Sequence, residues 1–147
     1  MTVYRGVQNT LAQKGPSFAP ISSGYGGGKP AFFYDYYTIP ASGFADGDSI
    51  EMGPDYALKK GDTFMGYSLW HEAMGASVVA AVGDDGSATR YGSAHDVAAL
   101  ATTPKTLNVF TGFGYVLTQD RPLRLRLSGA APTAAKTVRI EWRVLRP

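Results

Sequence analysis

The stretch FFYDYYTIPASGFADGDSIEMGP, residues 32–54, decides the fold class. It reads as an aromatic strand over 32–39, a Pro/Gly turn, and a short second strand over 48–52 that stops at Gly53-Pro54. Phe33, Tyr34, Tyr36, Tyr37 and Ile39 carry more bulk than an exposed strand needs, and Tyr and Phe favour pleated, half-buried surfaces. Both faces of this strand are therefore expected to be covered, one by a core and the other by a neighbouring chain. Nothing in the run carries a catalytic signature.

Strand and turn continue on its C-terminal side. Lys59-Lys60-Gly61-Asp62 turns into a strand over 63–71, and a further strand covers 76–82. Asp84-Asp85-Gly86 is a strong hairpin signal leading back into 87–91. Residues 94–102 fit a short helix or a buried strand equally well. Strands over 105–110 and 114–118 flank the turn Thr111-Gly112-Phe113-Gly114.

The last third alternates most cleanly: Leu123, Leu125 and Leu127 with Arg124 and Arg126, then Val138, Ile140, Trp142 and Val144 with Arg139, Glu141 and Arg143. Period-two patterns of this kind put one strand face in a core and the other in solvent or a polar interface. The SGAAPTAAK linker between them is too rich in Pro and Ala for a tight hairpin. Burial of Trp142 and its aliphatic neighbours at roughly 1.5–3 kcal/mol each makes the final strand central to stability. Eight to ten such short strands describe a single-domain β-sandwich or jelly roll.

Residues 1–30 differ from this body, 31–147. TVYRGV suits a short strand, but Gly15-Pro16, Ala19-Pro20, Ser22-Ser23-Gly24 and Gly26-Gly27-Gly28 break anything longer. Tyr4, Leu11, Phe18, Ile21 and Tyr25 are nevertheless spaced through it. The stretch reads either as an extended arm ordered by lying on its own domain or a neighbour, or as a flexible N-terminus.

Composition agrees with a turn-rich β protein: 147 residues suit one domain, with 18 Gly, 9 Pro, 7 Phe and 9 Tyr. The net charge of +2, from 14 basic and 12 acidic residues, leaves no clustered basic stripe of the sort nucleic acid demands. The absence of cysteine excludes disulfides, thiolate metal sites and a Cys nucleophile. No run of about 18 apolar residues is present to span a membrane, and the first fifteen residues lack a signal-peptide pattern. Synthesis in the cytoplasm without export is the expectation.

Candidate chemistry is thin. His71-Glu72 opens like a zinc-protease signature, but no second His follows four residues on, and His95 is the only other histidine. Gly83-Asp84-Asp85-Gly86 suits either a calcium loop or a hairpin turn, and the turn is the simpler reading. Gly26-Gly27-Gly28-Lys29 fails the phosphate-loop order because Pro30 follows Lys29. No catalytic, metal or cofactor-binding residues are assigned. Arg121, Arg124, Arg126, Arg139, Arg143 and Arg146 share one face if their strands are neighbours. That face would be either a solvated sheet surface or a docking surface for an acidic partner.

Taken together, YYTIPASGFADGDSIEMGP, GYSLWHEAMGASVVAAVGDDGSATRYG and KTVRIEWRVLRP resemble the structural proteins of tailed bacteriophages, and most of all the small decoration (cement) proteins of icosahedral heads. The likeness spans roughly residues 31–147. It implies a non-enzymatic virion protein with a β-sandwich or jelly-roll body, self-associating as a dimer or trimer and docked outside a major capsid protein lattice. It implies no direct contact with nucleic acid or membrane. The residues expected to meet partners are Tyr4, Arg5, Phe18 and Tyr25 of the arm, Phe33, Tyr34 and Tyr36 of the aromatic strand, and Arg124, Arg126, Arg139 and Arg143. A tail or head-fibre module with the same body is the alternative. A carbohydrate-binding sandwich stacking sugars on Tyr36, Trp70 or Tyr91 is another.

Overall fold

Residues 2–6, 21–22, 29–98, 109 and 111–147 are described by the computed structural model of the chain. Nine strands are present among them: β1 (Val3–Arg5), β2 (Ile21–Ser22), β3 (Lys29–Thr38), β4 (Ser49–Met52), β5 (Thr63–His71), β6 (Val79–Asp84), β7 (Ser87–Asp96), β8 (Leu123–Ser128) and β9 (Thr137–Arg146). They form a five-stranded sheet, β1-β4-β8-β6-β7, and a four-stranded sheet, β2-β3-β9-β5. The free edge of β5 is bridged antiparallel at Thr63↔Val116 and Tyr67↔Val109.

Let β3 be the first body strand, and give the sixth place to Val109 and Val116, the residues bridged to β5. The four-stranded sheet then runs first, eighth, third, sixth, and the five-stranded sheet runs second, seventh, fourth, fifth. That is the order of an eight-stranded jelly roll, two interlocked Greek keys. Successive strands alternate between sheets because the connections are too long for tight hairpins. Only β6 and β7 are joined by a two-residue turn, at Asp85-Gly86.

Side-chain alternation fills the space between the sheets. In the four-stranded sheet the inward rows are Ala31–Val144–Phe64, Phe33–Trp142–Tyr67 and Asp35–Ile140–Leu69. Leu123, Leu125 and Leu127 of β8 face them, all fully buried. Phe33 stacks on Trp142 at 5.3 Å between ring centroids, and Phe64 on Tyr91 at 4.0 Å. Gly53 adopts φ +76°, and a Cβ there would sit 2.6 Å from Trp142 Cη2, so the indole is packed directly against backbone.

The start of the arm joins its own body. β1 extends the five-stranded sheet by pairing parallel to β4, with Thr2 N donating to Asp48 Oδ1 at 2.7 Å. Donation from the Ala45 and Thr2 amides holds the Asp48 carboxyl below its ordinary range. β2 pairs antiparallel with the opposite edge, β3. Residues 7–20 and 23–28, with Phe18 and Tyr25, lie outside the described residues.

Several boundaries differ from the sequence reading. The 76–82 strand starts later, at Val79, because residues 76–77 form a turn with Ser77 at φ +66°. The 87–91 strand extends to Asp96, its bulges against β6 letting pairing continue to Val79↔Asp96. It therefore absorbs the start of the ambiguous 94–102 segment, of which 99–102 lie outside the described residues. In place of a regular 114–118 strand there is only the bridge at Val116, following a turn with Gly112 and Gly114 at positive φ. Residues 105–108 and 110 also lie outside the described residues.

Candidate functional site

The outward rows of the four-stranded sheet carry one candidate surface. Register gives three rows running from β3 across β9 to β5: Phe32–Arg143–Gly66, Tyr34–Glu141–Ser68 and Tyr36–Arg139–Trp70. Phe32, Tyr34 and Tyr36 are 44%, 46% and 37% exposed, a ladder of three aromatic rings along one strand. The Arg139 guanidinium lies 5.3 Å from the Trp70 ring centroid, covering a half-buried indole. Arg143 Nη2 reaches Ser68 Oγ at 3.5 Å, while its Nε is buried without an acceptor among the described residues. Tyr, Trp and Arg packed on one rigid face is the composition that concentrates binding energy at protein interfaces.

The outer face of the five-stranded sheet is built differently. One row runs Arg5–Glu51–Arg124–Gly83 and the next Val3–Ser49–Arg126–Ala81. Arg124 places Nε and Nη2 on Glu51 Oε1 at 3.2 and 2.8 Å, and Arg5 Nε lies 4.0 Å from Glu51 Oε2. Arg5 also meets Asp55 at 3.5 Å. The charges here are largely paired within the face.

The predicted partner residues are thus divided. The arginines of β8 and β9 do not share a face, because the SGAAPTAAK linker carries the chain from one sheet to the other. Arg124 and Arg126 point out of one side of the sandwich, Arg139 and Arg143 out of the other. Arg121 and Arg146 are tied down separately, to Asp85 at 2.6 Å and to the buried Asp62 at 3.1 Å. Phe33 is a correction: it faces inward, 3% exposed against Trp142, and offers nothing to a partner. Its neighbour Phe32, absent from the expected set, takes the exposed position instead. The strict period of two would have separated them had Asp35 not obscured which face was inward. Tyr4 is half-buried, stacked on Phe44 at 4.6 Å with its hydroxyl on the Gly43 carbonyl.

The remaining polar clusters are structural. Asp84 is buried, and its Oδ1 accepts the Gly86 and Ser87 amides at 2.8 and 3.0 Å. Its Oδ2 accepts Arg90 Nε at 2.7 Å and the Tyr91 hydroxyl at 2.9 Å. Every acceptor site faces a donor, so the hairpin reading accounts for the loop. Burial and the adjacent Asp84 push the Tyr91 phenol well up. His71 Nδ1 meets the Glu72 carbonyl at 2.9 Å, and His95 Nε2 meets the Tyr67 hydroxyl, with burial lowering the His95 pKa. Among the described residues, no group of three or more His, Asp or Glu side chains is placed to hold a metal ion. Tyr91 is fully buried, which removes it from any sugar-stacking surface.

The class that these features define is a two-sheet jelly roll presenting surfaces, and its likenesses are to phage capsids. The chain is similar to a chain of the cyanophage Pam1 capsid asymmetric unit, with 25% identity and a TM-score of 0.68 over 92% of this chain and 96% of that one. It shares its fold with a chain of the Ralstonia phage GP4 capsid (13% identity, TM-score 0.63, 99% of each chain). The same holds for a chain of the acidic stable capsid of Helicobacter pylori bacteriophage KHP30, at 10% identity and TM-score 0.53, covering 80% and 88%. No protein-family description matches the sequence, and no curated protein matches it.

Proposed function

We propose that this chain is a phage decoration, or cement, protein: a non-enzymatic virion component that docks on the outside of a major capsid protein lattice and stabilises the head. The observation that carries the reading is the near end-to-end correspondence with a Pam1 capsid chain, at 25% identity and covering 92% and 96% of the two chains. A match of that extent concerns the fold from end to end rather than one part of it.

The physics of the surfaces supports the same reading. A rigid jelly roll fixes the backbone that carries Phe32, Tyr34, Tyr36, Trp70 and Arg139, so no backbone ordering is needed on binding. In the proposed assembly this face joins copies of the chain into dimers or trimers, and residues 1–28 extend the contact onto the shell or a neighbouring copy. Repetition over a lattice lets individually weak contacts add through effective concentration.

Quantitative mass spectrometry of the purified virion tests this. A decoration protein is present in a fixed, high ratio to the major capsid protein and is lost together with head stability. A low copy number that follows the tail proteins through fractionation would assign the chain to a tail or fibre instead.

A further inference from the structure

The five-stranded outer face holds a concavity beside the ion pairs described above. Its origin is compositional: beside Arg126 and Arg124 of β8, β6 presents the small residues Ala81 and Gly83 outward. The β6–β7 hairpin rises as a wall, and a Cβ at Gly83 would collide with the Ser87 carbonyl at 2.0 Å. The result is a pocket of about 150 Å³ whose lining includes Ser49, Ser87, Arg124 and Arg126 together with Asp84 and Asp85.

The charges around it do not cancel. Asp84 is saturated by two amides, Arg90 and Tyr91, and Asp85 takes one hydrogen bond, from Arg121. Arg124 is engaged by Glu51. Arg126 makes a single hydrogen bond, Nε to the Gly47 carbonyl at 3.3 Å, and has no carboxylate within ion-pair distance among the described residues. Arg126 is half-buried and lines the open pocket, with Nη2 lying close to Gly47, and a guanidinium in such a place favours a planar, two-oxygen acceptor. Two acidic residues in the lining disfavour a dianion relative to a single negative charge.

We infer that the Arg126 pocket receives one carboxylate side chain, a Glu or Asp presented by a neighbouring protein chain. That the presenting chain is the capsid subunit rests on the function proposed above; the carboxylate site does not.

Titration of the full-length, ¹⁵N-labelled protein with acetyl-Gly-Glu-Gly-amide tests the site directly. Saturable shifts are expected at Arg126 Nε–H and at the Ser87 and Ala88 amides. The Gln counterpart peptide should produce none, R126Q should abolish them, and K60Q should leave them intact. Should R126Q fail to fold, R126K, which keeps the charge without the fork, is expected to weaken the shifts. Equal shifts with the Gln peptide, shifts surviving R126Q, stronger saturation by inorganic phosphate, or no saturable shift would each overturn the inference. In a second arm, R126Q should bind empty shells about tenfold more weakly than the native chain, the size of one charge-assisted contact. Undiminished R126Q binding would remove the capsid subunit as presenting chain. Failure of the native chain to bind shells would strike the proposed function while the peptide result still decides the site.

Discussion

The two outer faces of the sandwich arise from one rule, period-two alternation, yet they solve opposite problems. On the four-stranded sheet the outward positions include Phe32, Tyr34, Tyr36, Trp70, Arg139 and Arg143, with Glu141 and Ser68 between them. These side chains leave apolar surface in water, which only another surface removes. On the five-stranded sheet the outward positions are Arg5, Glu51, Arg124, Ser49 and Arg126, most of them paired in place. In the proposed assembly the first face supplies binding energy; the second supplies direction and charge. A molecule that must both associate tightly and seat in one register has use for each.

The sharpest break of this comparison lies within β3 itself. Phe33→Ala should cost about 3–5 kcal/mol of stability by emptying the site against Trp142. Phe32→Ala, one residue away on the outer face, should stay within about 0.5 kcal/mol when unfolding is measured at low protein concentration. Similar costs for the two would mean that the faces are not distinct. Next in size, the double change Tyr34→Asp and Tyr36→Asp should weaken self-association by about a hundredfold in sedimentation equilibrium, as expected when anchoring aromatics of an interface are lost. Arg124→Gln on the other face should leave self-association unchanged. If Arg124→Gln dissociates the oligomer and the tyrosine changes do not, the assignment of the faces is reversed.

Deleting residues 1–28 sharpens the contribution of the arm. The body is expected to remain folded and to bind shells at least about tenfold more weakly, since multivalent contact area is removed. Unchanged binding would confine the arm to its own sheet edges. The smallest effect concerns acid. Asp48 is held below the ordinary carboxyl range by its amide donors, so its contribution to anchoring β1 is complete above about pH 4. It is lost as pH falls through the depressed folded value, where protonation removes an acceptor. Amide exchange at Thr2 and Ala45, corrected for intrinsic rates, should accelerate over that window while Leu125 stays protected. Equal protection of all three to pH 2 would show that Asp48 does not hold the strand.

Sequence reading reached the fold class because it rests on local pattern. The alternation through Val138, Ile140, Trp142 and Val144, and through Leu123, Leu125 and Leu127, survives any arrangement of sheets, and Asp84-Asp85-Gly86 encodes its turn in three residues. The surfaces were legible only in part, since they depend on which strands become neighbours. The SGAAPTAAK linker already argued against a hairpin, and its consequence is that β8 and β9 belong to opposite sheets, which divides the arginines. Phe32 and Phe33 were indistinguishable by composition, because Asp35, a carboxylate on the inward register, masked the face that is buried. Asp35 is completely buried and accepts the Gly53 amide at 2.8 Å. That long-range partner has no local signature. The Arg126 pocket depends in the same way on Ala81 and Gly83 lying across from Arg126 and Arg124, a pairing of residues more than forty positions apart.

The account is tested most directly by sedimentation of the purified protein with expanded capsid shells that lack it, using unexpanded shells as the control. The account predicts saturable co-sedimentation with expanded shells at a fixed ratio to the capsid subunit, with a raised temperature of shell disruption. Absence of binding to either shell would contradict it and move the chain from the head surface to a tail or fibre.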